Sequence, residues 1–378
     1  MPMRVLVVPD KFKGTLTAQQ AAEAIAKGWN KSRPQDLPEL LPMSDGGEGF
    51  GAVIGQSLAA KEVLCQTMDA AHRSCKAAWW WDRKTKTAII ETSAVVGLAM
   101  LPPKRFHPFD LDTFGLGKVI ESARRRGAKV CLVGIGGSAT NDAGFGLARS
   151  LGWKFLNAKN QPIERWVDLE RLESIVCPPR DSEARAMEIR VAVDVQNKLL
   201  GPKGASRVYG PQKGLRKGDF ARAEACLGRL ALVARKLLRT DFSRVPGSGA
   251  AGGLGFGLAA FLGARLEPGF ELFAQQANLH QRLKQADLVI TGEGAIDESS
   301  LMGKGVGQIA RQCKQLGIPC IGLAGKIVPS PVLAKTFSRI CGLTQIASAT
   351  EATARAAVWL SRLAQAVARE WEAQEAKA

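Results

Sequence analysis

The sequence predicts an α/β protein in which one domain, built on a parallel sheet, carries a second, mixed-sheet α/β domain inserted into it. Two observations carry that expectation. Short apolar runs alternate with helical periodicity at both ends of the chain, the βαβ rhythm of a parallel sheet. Between them, residues 77–81 and 87–91 alternate like a hairpin around the polar turn Asp82-Arg83-Lys84. The first domain is then flavodoxin- or Rossmann-like and takes residues 1–65 and 285–378, and the insert takes residues 66–284. At 378 residues the chain exceeds one ordinary core, and 46% apolar residues suffice for two.

The elements follow in order. Residues 5–8 read as a buried strand, and residues 17–29 as a helix. Thr17 and Gln20 have capping-box spacing, and Ala21, Ile25 and Trp29 form one apolar stripe. A second strand near residues 37–42 leads into Ser44-Asp45-Gly46-Gly47. In the insert, strand 130–133 feeds the glycine-rich turn between Gly134 and Gly146, and a small-residue helix covers about 143–151. Strand 190–194 and a long helix over 220–238 complete it. The βαβ rhythm resumes with strand 288–290, a turn beginning at Thr291, helix 306–316 and strand 320–323. The last helix, about 351–373, carries Leu360, Leu363, Val367 and Trp371 on a stripe that predicts packing.

Four of the turns combine glycine with polar or charged side chains: Asp10-Lys11-Phe12-Lys13-Gly14-Thr15, Ser44-Asp45-Gly46-Gly47-Glu48-Gly49, the stretch from Gly134 to Gly146, and Thr291-Gly292-Glu293-Gly294-Ala295-Ile296-Asp297. Glycine lets backbone approach an oxyanion, and N–H groups at a helix start carry partial positive charge. Turns at the carboxyl ends of parallel strands are where ligands bind in open α/β sheets. The pattern predicts one polar cleft; capped tight turns are the structural alternative.

Other function classes find little support. The eight cysteines show no Cys-x-x-Cys pair and read as reduced core residues. The three histidines lie in neither triad-like nor metal-like spacing. A net charge of +17 raises nucleic-acid binding, but the basic residues are scattered and only one tyrosine is present. No apolar run reaches membrane-spanning length, and residues 5–8 are too short for a secretory segment, so a cytoplasmic protein without membrane or nucleic-acid partners is expected. The string Gly247-Ser248-Gly249-Ala250-Ala251-Gly252 spells G-x-G-x-x-G, yet a polar, proline-ended segment precedes it where a dinucleotide site needs a strand. A glycine-rich helix start that permits close packing or approach to a ligand is the better reading, and an NAD(P)-dependent hydroxy-acid oxidoreductase the rival. No Walker A sequence is present.

The segments Pro9 to Ala18, Ser44 to Gly49, Gly134 to Gly146, Asp194 to Pro202, Tyr209 to Gly214 and Thr291 to Gly294 together resemble the bacterial type-I glycerate kinases, in the family's order and over nearly the whole chain. The resemblance implies ATP-dependent phosphorylation of D-glycerate, most often at the 2-hydroxyl, on two α/β domains with one inserted into the other. The chain departs from the family's usual residues at Ala295, Ser299, Ser300 and the segment Phe114-Gly115-Leu116-Gly117-Lys118. A 3-kinase, or a kinase of a related small hydroxy acid, is the neighbouring alternative.

Phosphoryl transfer to a hydroxyl needs a carboxylate base, Mg2+ on oxygen ligands, and donors that neutralise the moving phosphoryl group. Asp194, at a strand end, is the candidate base, with Lys13 and Asp45 beside it in the catalytic set. Gly136, Gly137, Ser138, Ala139, Thr140 and Asn141 are the candidate ATP-phosphate turn, with Glu293 and Lys304 joining them. Asp45, Glu293 and Asp297 are candidate Mg2+ or Mg2+-water ligands. Lys13, Asp45, Gly46, Gly47, Asn197 and Lys213 are the candidate glycerate residues, a carboxylate substrate wanting a cation. The expected partners are D-glycerate and ATP alone, bound in an interdomain cleft of a monomer or homodimer.

Overall fold

The computed structural model describes residues 2–179, 187–301 and 305–375. The chain divides into two compact units, the first formed by Met1–Asp45 with Phe273–Ala378 and the second by Gly46–Leu272. The sequence reading set these boundaries at 65/66 and 284/285.

The first unit opens with β1 (Arg4–Pro9) and β2 (Leu37–Leu40), linked by the helix Ala18–Ser32. That helix starts where Thr17 accepts from the Gln20 N–H while the Gln20 side chain accepts from the Thr17 N–H, the expected capping box. Its apolar stripe of Ala21, Ile25 and Trp29 is fully buried.

The second unit carries the strands β3 (Lys61–Met68), β4 (Ser74–Asp82), β5 (Thr87–Glu91) and β6 (Val130–Gly134), the small hairpin β7 (Lys154–Asn157) and β8 (Leu172–Val176), then β9 (Glu188–Val193) and β10 (Arg265–Pro268). Its main sheet runs β10-β9-β6-β5-β4-β3. The β10, β9, β6 and β5 pairs are parallel, and β5-β4 and β4-β3 antiparallel, so the sheet is mixed as predicted. Asp82 fixes the β4–β5 turn by accepting from the Lys84 and Thr85 N–H groups. The helix Phe220–Leu238 buries Leu227 and Leu230 in a core shared with Phe155, Trp166 and Phe256.

The chain then returns to the first unit with β11 (Leu288–Ile296), β12 (Cys320–Ile327) and β13 (Arg339–Gly342), giving an all-parallel sheet in the order β13-β12-β11-β1-β2. An α/β protein with a parallel sheet in one unit and a mixed sheet in the other is therefore what the chain forms. The last expected helix is two, Ala349–Ala354 and Ala356–Glu375, broken at Arg355. Leu360, Leu363 and Val367 are buried as expected. Gly28 marks where the first and last helices meet: a Cβ there would lie 2.0 Å from the Ser361 carbonyl oxygen. Among the described residues no helix is long and apolar enough to cross a membrane, and all eight cysteines are unbridged.

Candidate functional site

In the first unit, Asp10 and Asp45 follow the parallel strands β1 and β2, and Glu293 lies on β11. Asp10 follows β1, its N–H donating to the Gly292 carbonyl at 2.8 Å and its carboxylate accepting from the Lys11 N–H at 2.7 Å. Burial, reinforced by the charges of Asp45 and Glu293, pushes its carboxyl up to about 7. Asp45 and Glu293, far apart in sequence, thus act on one point, and Asp10 joins them although the sequence reading left it out of the site. Among the described residues no three His, Cys, Asp or Glu side chains converge as a metal cage. One or two carboxylates with water and phosphate oxygens suffice for Mg2+, so the oxygen donors here fit that ion.

The expected turn after Ile290 is not one. β11 continues through Thr291, Gly292, Glu293 and Gly294 to Ile296, paired with β12 as far as Ile327. Glycine allows this because the neighbouring backbone lies too near for a side chain: a Cβ on Gly292 would stand 2.2 Å from the Leu323 carbonyl oxygen. Glu293 is therefore presented from a strand. The turn comes later, where Asp297 accepts from the Ser299 and Ser300 N–H groups at 2.8 and 3.3 Å. Asp297 caps that turn. Lys13 is exposed, and Lys304 lies outside the described residues.

In the second unit, Gly46 and Gly47 lie against the ends of β6 and β9. Gly46 has φ +104°, and a Cβ on it would stand 2.7 Å from the Ala192 Cβ and 2.8 Å from the Ala192 carbonyl oxygen. Its carbonyl accepts from the Gly136 N–H at 3.0 Å. Gly136 in turn has no room for a side chain, because its Cβ would be 2.6 Å from the Gly47 Cα. Two of the recognised segments are thus in direct backbone contact. Glu91, which the sequence reading missed, closes this corner by accepting from the Gly49 and Gly51 N–H groups at 3.1 and 3.0 Å, at the start of the helix Phe50–Ser57.

The turn after β6 is more inward than expected. Gly137 (φ +77°) is exposed, Gly136 is half-buried, and Ser138 to Asp142 are buried. Ser138 Oγ pairs with Thr140 Oγ1 at 2.9 Å, the Ala139 N–H donates to the Val96 carbonyl at 2.8 Å, and Asn141 Nδ2 donates to Ser206 Oγ at 2.9 Å. These groups hold the turn's shape. The following helix, Phe145–Ser150, was expected to offer its N-terminus to an anion; instead Asp142 occupies it, accepting from the Gly146 N–H at 2.9 Å and from the Thr113 N–H and hydroxyl at 3.0 and 2.7 Å. Burial and the charge of Asp112 push the Asp142 carboxyl up to about 6.

Asp194 is exposed just beyond the end of β9. The loop after it walls an open cavity of about 560 Å³ lined by Gln196, Asn197, Lys198, Leu200, Pro202 and Lys203. Asn197 is spent within the chain, accepting from the Tyr209 hydroxyl and donating to the Lys203 carbonyl, each at 2.7 Å. Lys213 is 6% exposed, and its Nζ donates to the Thr140 carbonyl at 2.6 Å.

The glycine string at 247–252 serves packing. A short 3-10 turn, Phe242–Arg244, stands where a dinucleotide site needs a strand. Ala251, Gly252 and Gly253 are all left-handed, and Gly252 passes so close that its Cβ would meet the Thr140 carbonyl oxygen at 2.0 Å.

A family model described as the glycerate kinase family matches residues 5–372. A glycerate kinase of Halalkalibacterium halodurans is 38% identical over 324 residues, covering 85% of each chain. The glycerate 2-kinase of Escherichia coli K12 is 38% identical over 327 residues, covering 86% of each. A crystal structure from Salmonella typhimurium LT2, of a protein assigned as glycerate kinase 2, superposes with a TM-score of 0.86 at 33% identity, over 99% of this chain and 100% of that one.

Proposed function

Since the chain belongs to the glycerate kinase family and is a kinase, we propose that it transfers the γ-phosphoryl group of ATP to the 2-hydroxyl of D-glycerate with Mg2+ as cofactor. The E. coli relative is named for the 2-position, which supports that regiochemistry. The observation that supports the metal-assisted reading is that Asp45 and Glu293, from distant parts of the sequence, both act on the Asp10 carboxyl in the first unit. Acidic oxygen donors grouped in one unit suit a hard divalent cation, and Asp45 and Glu293 are the proposed carboxylates that hold it. Bound there, Mg2+ supplies positive charge to phosphate oxygens. Lys13 is the proposed charge partner for an anionic substrate in the same unit.

In the second unit, Gly136 and Gly137 are the proposed phosphate contacts, being the part of their turn nearest the surface; Ser138 to Asn141 form the frame behind them. Gly46 and Gly47 are buried behind that turn and fix its position through the Gly46 carbonyl. Asp194 is the proposed base, accepting the hydroxyl proton of glycerate as the oxygen attacks phosphorus. ATP turnover in the presence of D-glycerate tests the assignment: transfer that stops on chelating Mg2+ and returns on its addition supports it. Transfer unaffected by chelation contradicts it.

A further inference from the structure

We propose that Lys213 is a positioning residue whose buried ammonium holds the 136–141 turn in its working shape through the Thr140 carbonyl, so that losing the ammonium charge loosens the turn. The proposal rests on the kinase reading for its effect on activity but not for its effect on the turn itself.

Lys213 closes the helix Ala205–Lys213, which ends as Gly214 turns left-handed with φ +111°. The side chain runs inward to a slot that exists because residue 252 is glycine: a Cβ there would stand 2.8 Å from Lys213 Nζ and 2.0 Å from the oxygen it binds. At 2.6 Å the contact to Thr140 is short for a nitrogen donor, as charge-assisted bonds are, and such bonds are roughly twice as strong as neutral ones. A lysine so placed cannot reach out to a substrate while making this bond. It can set the direction of the peptide between Thr140 and Asn141, in the same turn as Gly136 and Gly137.

Among the described residues, the charged group that acts on the ammonium is Asp142, which favours the protonated form. Asp112 stands behind Asp142 and is bonded to His72 at 2.9 Å, and Arg149 feels the Asp112 charge and itself acts on His72. Burial outweighs Asp142 and lowers the Lys213 ammonium to about 7. Below about pH 7 the ammonium is therefore charged and the turn held, and above it the amine is neutral and the bond weakened.

Two readouts on the full-length protein test this. In steady-state kinetics, the KM for ATP of the wild type should rise several-fold as pH rises through about 7, with kcat changing less. Asp142→Asn removes the favouring charge and should shift that limb to lower pH by about one unit, the lower end for loss of an opposite charge. Lys213→Met should hold the high KM at every pH. Independently of activity, hydrogen exchange at the Ala139 amide, corrected for intrinsic pH dependence, should lose protection above pH 7 in the wild type. An Asp142→Asn limb that stays in place, or a folded Lys213→Met protein that keeps the wild-type profile, overturns the proposal. So does unchanged Ala139 protection in the wild type between pH 6 and 9, a measurement that needs no variant to fold. Absence of phosphate transfer would sink the kinase reading and leave the exchange result to decide this one.

Discussion

Replacing Gly46 by alanine probes how far the second unit's backbone corner depends on lacking a side chain. Three terms add. The φ of +104° is left-handed space that costs an L-residue roughly 1–2 kcal/mol. A Cβ at 2.7 Å from the Ala192 Cβ and 2.8 Å from its carbonyl oxygen forces the end of β9 or the Gly46 backbone to move, an overpacking cost of about 1–3 kcal/mol. Movement lengthens the Gly136 N–H to Gly46 carbonyl bond, whose net worth is about 1 kcal/mol. The expected loss is about 3–6 kcal/mol of unfolding free energy. Gly127→Ala is the control: its φ is +85° but nothing lies within 4 Å of its Cβ, so the conformational term stands alone at about 1–2 kcal/mol. Urea unfolding of both variants gives the difference, and kcat/KM for ATP in the folded protein should fall at least tenfold for Gly46→Ala only. Equal destabilisation of the two variants would refute the packing argument, and an unchanged kcat/KM would show that the Gly46 carbonyl does not set the position of Gly136.

Three further outcomes are expected. Asp194→Asn should lower kcat by roughly 10² to 10⁴ with an unchanged circular dichroism spectrum, the usual scale for removing a general base; near-normal turnover would take Asp194 out of the role. Gly28→Ala should destabilise the first unit by about 1–3 kcal/mol, because its Cβ would meet the Ser361 carbonyl oxygen at 2.0 Å, while each folded molecule stays active; a stability within 0.5 kcal/mol of wild type, measured by denaturation, would show that the two helices separate easily. Asp36 accepts from Arg33 Nε at 2.6 Å, Trp29 Nε1 at 2.8 Å and the Met3 N–H at 3.0 Å, and although its burial opposes ionisation, these bonds hold its carboxyl below 3.8. The unfolded chain then binds the proton more readily, so this stability is present above about pH 4 and lost as pH falls further; Asp36→Asn should flatten that acid limb in a denaturation series.

Where local chemistry decides the structure, the sequence was legible. Thr17 and Gln20 set a helix start through their own side chains, and the apolar stripe of residues 360, 363 and 367 set a buried face. The 4-residue-spaced pattern could not reveal the break at Arg355 between two helices. Glycine in Thr291-Gly292-Glu293-Gly294 reads as a turn by propensity, and only the approach of Leu323 shows that it serves a strand. The candidate site divides the same way. Motif residues mark where the chain gathers, but a side chain's job depends on its tertiary partners: Asp142 fills a helix start that looked open to an anion, Asn197 is consumed by Tyr209 and Lys203, and Lys213 points inward to Thr140. Glu91 carried no distinguishing local signal, and Asp10 stood in a recognised charged glycine turn where nothing local ranked it above Lys13. Asp10 gains its character from Asp45 and Glu293, which only the sheet brings near.

Phosphorus NMR of the product formed from D-glycerate and Mg-ATP tests the central claim most directly. A single new resonance that co-migrates with authentic 2-phosphoglycerate, appearing in step with ADP, is the result this account predicts. A 3-phosphoglycerate signal would contradict the assignment of the 2-hydroxyl, and ATP that stays intact with D-glycerate present would contradict the kinase itself.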